Sequence, residues 1–128
     1  MKKVLIVDDS RFMRAMVREE VKNCGFEVCG EANCSQDAVK LYQETHPDLV
    51  TMDITMTVDG HTVGRSSNGI DAISEIIEID PKAKILCVSA MGQRSFVVEA
   101  IQAGAADYIT KPFNPVRLQE TLERLLKD

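Results

Sequence analysis

Four apolar runs in this 128-residue chain break off at residues able to do chemistry. Val4-Leu5-Ile6-Val7 ends at Asp8-Asp9, and Leu49-Val50-Thr51-Met52 ends at Asp53. Ile85-Leu86-Cys87-Val88 ends at Ser89-Ala90, and Tyr108-Ile109-Thr110 ends at Lys111-Pro112. If these ends converge, three carboxylates, a hydroxyl and an ammonium share one small cleft. Crowded carboxylates repel, and one would keep its proton unless a cation neutralised the group. Hard oxygen donors suit a divalent ion that retains several waters, so Mg2+ is the expected partner. In that setting Asp53 is a nucleophile toward phosphorus, forming an aspartyl phosphate. The metal and Lys111 would stabilise charge on the transferring phosphoryl oxygens, and the Ser89 hydroxyl could hydrogen-bond the same group. Singly, Asp8 and Asp9 could be helix caps and Lys111 a surface charge. Their coincidence at matching positions is what favours a site.

The runs are short, rich in β-branched residues, and separated by segments with helical spacing. Met13, Met16, Val17, Val21 and Cys24 share a face that stops at Gly25, a good residue just past a helix end. Residues 27–32 form a weaker strand. Ser35 is the expected cap of a helix reaching about His46, and Pro47 blocks its continuation. Ile70, Ile73, Ile76 and Ile77 make a helix closed by Asp80-Pro81. Phe96, Val97, Ala100 and Ile101 make another, closed at Gly104. Asn114 caps a last helix with Pro115 in its first turn and Leu118, Leu122, Leu125 and Leu126 facing inward. Strands are expected over 4–7, 27–32, 48–52, 84–88 and 107–110. Five strand–helix units with short links imply an α/β fold, a doubly wound five-stranded parallel sheet flanked by five helices. In such sheets functional residues gather at the carboxyl ends of the strands.

Composition is ordinary for a globular chain, with 45% hydrophobic and 27% charged residues. A net charge of −5 argues against a general nucleic-acid or membrane-surface binder. No run is long enough to cross a membrane, and the N-terminal run is too short for a signal peptide. A cytoplasmic protein is expected. Cys24, Cys29, Cys34 and Cys87 include no C-x-x-C pair and have no paired histidines, so reduced packing cysteines are expected rather than a zinc site.

Several segments together resemble the receiver domain of two-component response regulators: VLIVDDSRFMR, PDLVTMDITM, GIDAISEI, VSAMGQ and AIQAGAADYITKPF. The likeness extends over nearly all of residues 1–128 and is nearest to the single-domain chemotaxis type. It implies the flavodoxin-like receiver fold in one domain, with Asp53 as phosphoacceptor. It implies Mg2+ bound by Asp8, Asp9, Asp53 and the Thr55 backbone carbonyl. Ser89 becomes the switch hydroxyl, Lys111 the phosphoryl-binding lysine and Tyr108 the aromatic switch. Pro112 matches a position where the family usually has a cis peptide bond. The implied partners are a histidine kinase, a flagellar motor switch protein or other phospho-dependent target, and a phosphatase. Output would pass through residues 93–128 by protein contact, with no DNA-binding domain following. A monomer is expected, acting as no enzyme beyond its own phosphorylation and dephosphorylation.

One stretch departs from the family pattern. Met56 is followed by Thr57 rather than proline, and residues 57–67, eleven in all, separate it from Asn68-Gly69. The family spacing is three, so about eight residues are extra. Thr57-Val58 and His61-Thr62-Val63 around Asp59-Gly60 carry a hairpin signal, with residues 64–68 as a flexible return. A lone loop histidine such as His61 is ordinarily solvated, and Asp59 is simplest as turn chemistry. Alternatives to the phospho-accepting regulator are a phosphorelay intermediate and a receiver-like interaction module whose phosphorylation the inserted loop impairs. A haloacid-dehalogenase-like phosphatase fits poorly, because its second acid lies two residues past the nucleophile, where this chain has Thr55.

Overall fold

The computed structural model describes residues 1–54, 57–58, 61–62, 68–90, 92 and 94–127. In chain order these form β1 (Lys3–Val7), α1 (Arg11–Asn23), β2 (Glu27–Ala32), α2 (Ser35–Thr45), β3 (Leu49–Asp53), β4 (Thr57–Val58) and β5 (His61–Thr62). There follow α3 (Asn68–Ile79), β6 (Ile85–Ala90), α4 (Arg94–Ala103), β7 (Asp107–Lys111) and α5 (Pro115–Leu126). Five strands make one parallel sheet in the order β2-β1-β3-β6-β7. The chain steps outward from β1 to β2, then crosses back to β3 on the other side. The crevice of such a sheet opens where the order reverses, beyond the carboxyl ends of β1 and β3.

Alternation along the buried strands sends neighbouring side chains to opposite faces. Leu5, Val7, Val50, Met52, Ile85 and Cys87 pack with residues of α2, α3 and α4, among them Tyr42, Ile73 and Ala100. Val4, Ile6, Leu49, Leu86, Val88 and Ile109 pack against α1 and α5, through Val17, Val21, Leu118 and Leu122. The central strands are therefore clamped between two cores, and the residues at their tips inherit that rigidity.

Several boundaries differ from the expected ones. β3, β6 and β7 run on to Asp53, Ala90 and Lys111, because ladder pairing continues as far as Asp53↔Val88 and Ala90↔Lys111. Asp53, Ser89 and Lys111 thus lie within the strands rather than past them. Cys34, not Ser35, precedes α2. It is still extended, and its carbonyl accepts the first helical bond from Ala38, with no side-chain cap. Helix α2 stops at Thr45, with His46 in the left-handed region at φ 48° before Pro47. Asn68 begins α3 instead of ending a loop. In the unusual stretch, β4 and β5 pair antiparallel, Thr57 with Thr62 and Val58 with His61, as the hairpin signal predicts.

Candidate phosphoryl-acceptor and metal site

Asp8 leaves β1 into the crevice and is almost fully buried, as are Asp53 and Ser89. A buried carboxylate must be paired or hydrogen-bonded, and Asp8 is both. One oxygen accepts the Ser10 backbone N–H at 2.9 Å, and the other meets Lys111 Nζ at 2.9 Å. Ser10 also caps α1, its hydroxyl accepting from the Met13 N–H. The turn from β1 into α1 therefore holds the acid and starts the helix with one residue. Lys111 arrives from the end of β7 and places Nζ 3.6 Å from Asp53 Oδ2. Burial alone would push its ammonium down, but Asp53 and then Asp8 outweigh it, and the pKa stands above its ordinary value.

Asp9 is exposed on the solvent side. One carboxylate oxygen from each of Asp8, Asp9 and Asp53 lies within 4.8 Å of the others. Two buried acids and one exposed acid make an all-oxygen donor set. It fits Mg2+, which takes few carboxylates and keeps several waters. Thr55 lies outside the described residues, as do Asp59 and the side chain of His61.

Gly69, in the first turn of α3, is a positioning residue that spacing alone does not reveal. It is buried, and a Cβ there would overlap the carbonyl oxygen of Asp53 and the Cα of Ile54. Helix α3 therefore presses its backbone directly on the acid-bearing strand end, a contact only glycine allows.

Ser89 pairs with Thr110, and Tyr108 with Cys87, along the β6–β7 ladder. Tyr108 is 45% exposed. A cavity of about 630 Å³ is lined by Tyr108 together with Ser89, Thr110 and Val97, Val98 and Ile101 of α4. The structure thus gathers Asp8, Asp9, Asp53 and Lys111 into one cluster and puts Ser89 and Tyr108 on a shared cavity. The Lys111–Pro112 peptide is cis. All four cysteines are free, and Cys87 is buried.

The profile described as the response regulator receiver domain matches residues 4–123, and the chain belongs to that family. Its likeness is to the chemotaxis type. It is 52% identical over 126 residues to the chemotaxis protein CheY of Thermotoga maritima, covering 98% of each chain. It is 48% identical over 124 residues to the chemotaxis protein CheY of Bacillus subtilis, covering 97% of each. Among solved structures, the CheX–CheY–BeF3–Mg2+ complex of Borrelia burgdorferi superposes with a TM-score of 0.85 at 29% identity. That match covers 99% of this chain and 90% of the other. The chain is a chemotaxis-type receiver domain of a two-component response regulator.

Proposed function

We propose that this chain works as a phospho-accepting regulator, taking a phosphoryl group onto Asp53 from the phosphohistidine of a kinase. The observation that carries this is Asp53 Oδ2 lying 3.6 Å from Lys111 Nζ within the three-carboxylate cluster. Asp8, Asp9 and Asp53, with the Thr55 carbonyl, would hold Mg2+, which when bound neutralises charge on the phosphoryl oxygens. An Asp53 carboxylate oxygen attacks phosphorus in line. The new P–O bond forms as the P–N bond breaks, and its electron pair returns to the imidazole nitrogen. Lys111 stays cationic throughout, since its proton is held more tightly than usual. Its ammonium then has a phosphoryl oxygen to pair with, and the Ser89 hydroxyl donates to another.

Movement of Ser89 toward the phosphoryl group would free space in the cavity that both residues line, and Tyr108 can turn into it. That shifts a population of α4, β7 and α5 arrangements rather than building a new fold. The output is protein contact on this face. The naming of the relatives as chemotaxis proteins supports the flagellar motor switch as target, and the complex of a relative with CheX supports control by a second protein. A cytoplasmic monomer reset by a phosphatase, catalysing only its own phosphorylation and dephosphorylation, completes the proposal. Among the described residues, no helix is long and apolar enough to cross a membrane.

Intact mass after incubation with Mg2+ and acetyl phosphate tests it. The wild type should gain one phosphoryl group and Asp53→Asn none. A folded wild type that gains nothing overturns the proposal in favour of an interaction module.

A further inference from the structure

We infer that Arg14 is a positioning residue for the acid cluster, acting on the peptide that joins Asp8 to Asp9; this rests on the reading that these acids hold Mg2+. Strand β1 ends at Val7, so the Asp8 carbonyl lies past the last strand residue. Arg14 Nη1 donates to that carbonyl at 2.8 Å. The Asp8 N–H donates to the Ala32 carbonyl at 3.1 Å. A peptide unit is planar, so holding this oxygen fixes the plane from which both acids depart. That plane sets ψ at Asp8 and φ at Asp9, so loosening it would loosen the placement of both acids in the donor set.

Arg14 is itself oriented. Its Nε lies 3.5 Å from Glu31 Oε1, and the other Glu31 oxygen accepts from Arg18 Nη1 at 2.6 Å. Glu31 sits on β2 opposite Ile6. Arg14 and Arg18 are four apart on α1, so both guanidinium groups face the same strand. The chain of contacts runs Arg18, Glu31, Arg14, Asp8 carbonyl. Arginine suits the role because its planar fork serves two acceptors at once, and it remains charged at any working pH. The Arg14 side chain is only 18% exposed, so these bonds are made largely out of water.

Mg2+ titration followed by backbone amide shifts tests the role, with the melting temperature measured in Mg2+-free buffer alongside. Arg14→Met should raise the apparent Kd for Mg2+ about tenfold, the scale of losing a residue that orients a ligand. Its melting temperature should fall by a few degrees, because the Asp8 carbonyl and Glu31 lose a partner, so affinities are compared at a temperature where both proteins are folded. Arg14→Lys, able to donate one bond to the carbonyl, should recover part of the affinity. Arg18→Met, which leaves the carbonyl bond in place, should stay within about twofold of the wild type. If Arg14→Met loses the folded amide pattern, Arg14→Gln is read in the same way. A folded Arg14→Met or Arg14→Gln variant that binds Mg2+ like the wild type overturns the inference. A wild type that does not bind Mg2+ overturns the proposed site itself, and the inference with it.

Discussion

Strand β7 carries Lys111 into the acid pocket and Tyr108 onto the surface beside α4, and the two regions are held in opposite ways. In the pocket, Asp8 alone engages both carboxylate oxygens, its N–H and its carbonyl. Among the described residues, no buried side-chain nitrogen or oxygen lacks a hydrogen-bond partner. Tyr108 is about half exposed, Val98 and Ile101 of α4 are similarly exposed, and all three line one cavity. The Tyr108 backbone N–H bonds the neighbouring Asp107 carboxylate, which also takes the Arg124 guanidinium from α5. Transfer chemistry needs reacting groups fixed to within a fraction of an ångström. A signal needs two arrangements of similar energy, and in the proposed switch the space beside half-exposed Tyr108 would accommodate the second.

The contrast can be broken most severely at Gly69. Gly69→Ala forces a methyl group into the Asp53 carbonyl and the Ile54 Cα. Overpacking of this kind costs about 1–3 kcal/mol. Displacing Asp53 should slow phosphoryl uptake from acetyl phosphate by about a hundredfold. A variant that folds and is phosphorylated at the wild-type rate would show that α3 does not set the acid's position. Tyr108→Ala should do the reverse. Its stability should change by no more than about 0.5 kcal/mol, the range for an exposed site. Its phosphorylation rate should stay within about twofold of the wild type, since positioning of the acids is untouched, while phosphorylation-dependent partner binding is lost.

The smallest effect sharpens the comparison from beneath the sheet. Burial, then Asp107 and Asp53, push the Cys87 thiol up to about 12 from its ordinary 9.0. At pH 8 in native protein Cys87 should be the last of the four cysteines alkylated by iodoacetamide, because the thiolate is the reactive form. The folded state holds this proton more tightly than the unfolded chain. Its contribution to stability is therefore complete below pH 9 and is lost as pH rises toward 12. Denaturant titrations at pH 8 and pH 10.5 on wild type and Cys87→Ala should show a smaller decline in the variant.

The parts of the site legible in the sequence are those where an apolar run stops at a polar residue. Asp53 and Lys111 each end a strand and Asp8 directly follows another strand of the same sheet, and parallel strands bring their ends together by topology alone. Spacing could not locate the Arg14 bond to the Asp8 carbonyl, which depends on the rotation of α1 over β1 and β2. Nor could it show the contact at Gly69, because the glycine's use lies in the backbone of another element. Strand ends differ by one or two residues from those the apolar runs suggest, because a ladder continues while its neighbour does, whatever the polarity of the side chains. Ser35 has the type of a cap, but the chain does not leave the extended conformation until after Cys34.

The end of the sheet away from the acids has a practical consequence. Lys2, Phe26, Leu126 and Lys127 line one groove there, and Lys84 Nζ bonds the Leu125 carbonyl close by. The first and last described turns are thus neighbours. Both are separated from Asp53 by roughly the length of β1, about 17 Å for five extended residues. Fluorescent reporters tethered at the two ends would sit side by side, clear of the acids and of the Tyr108 surface. Such a pair would suit readouts in which donor and acceptor must stay close while the opposite end of the molecule remains open to reagents.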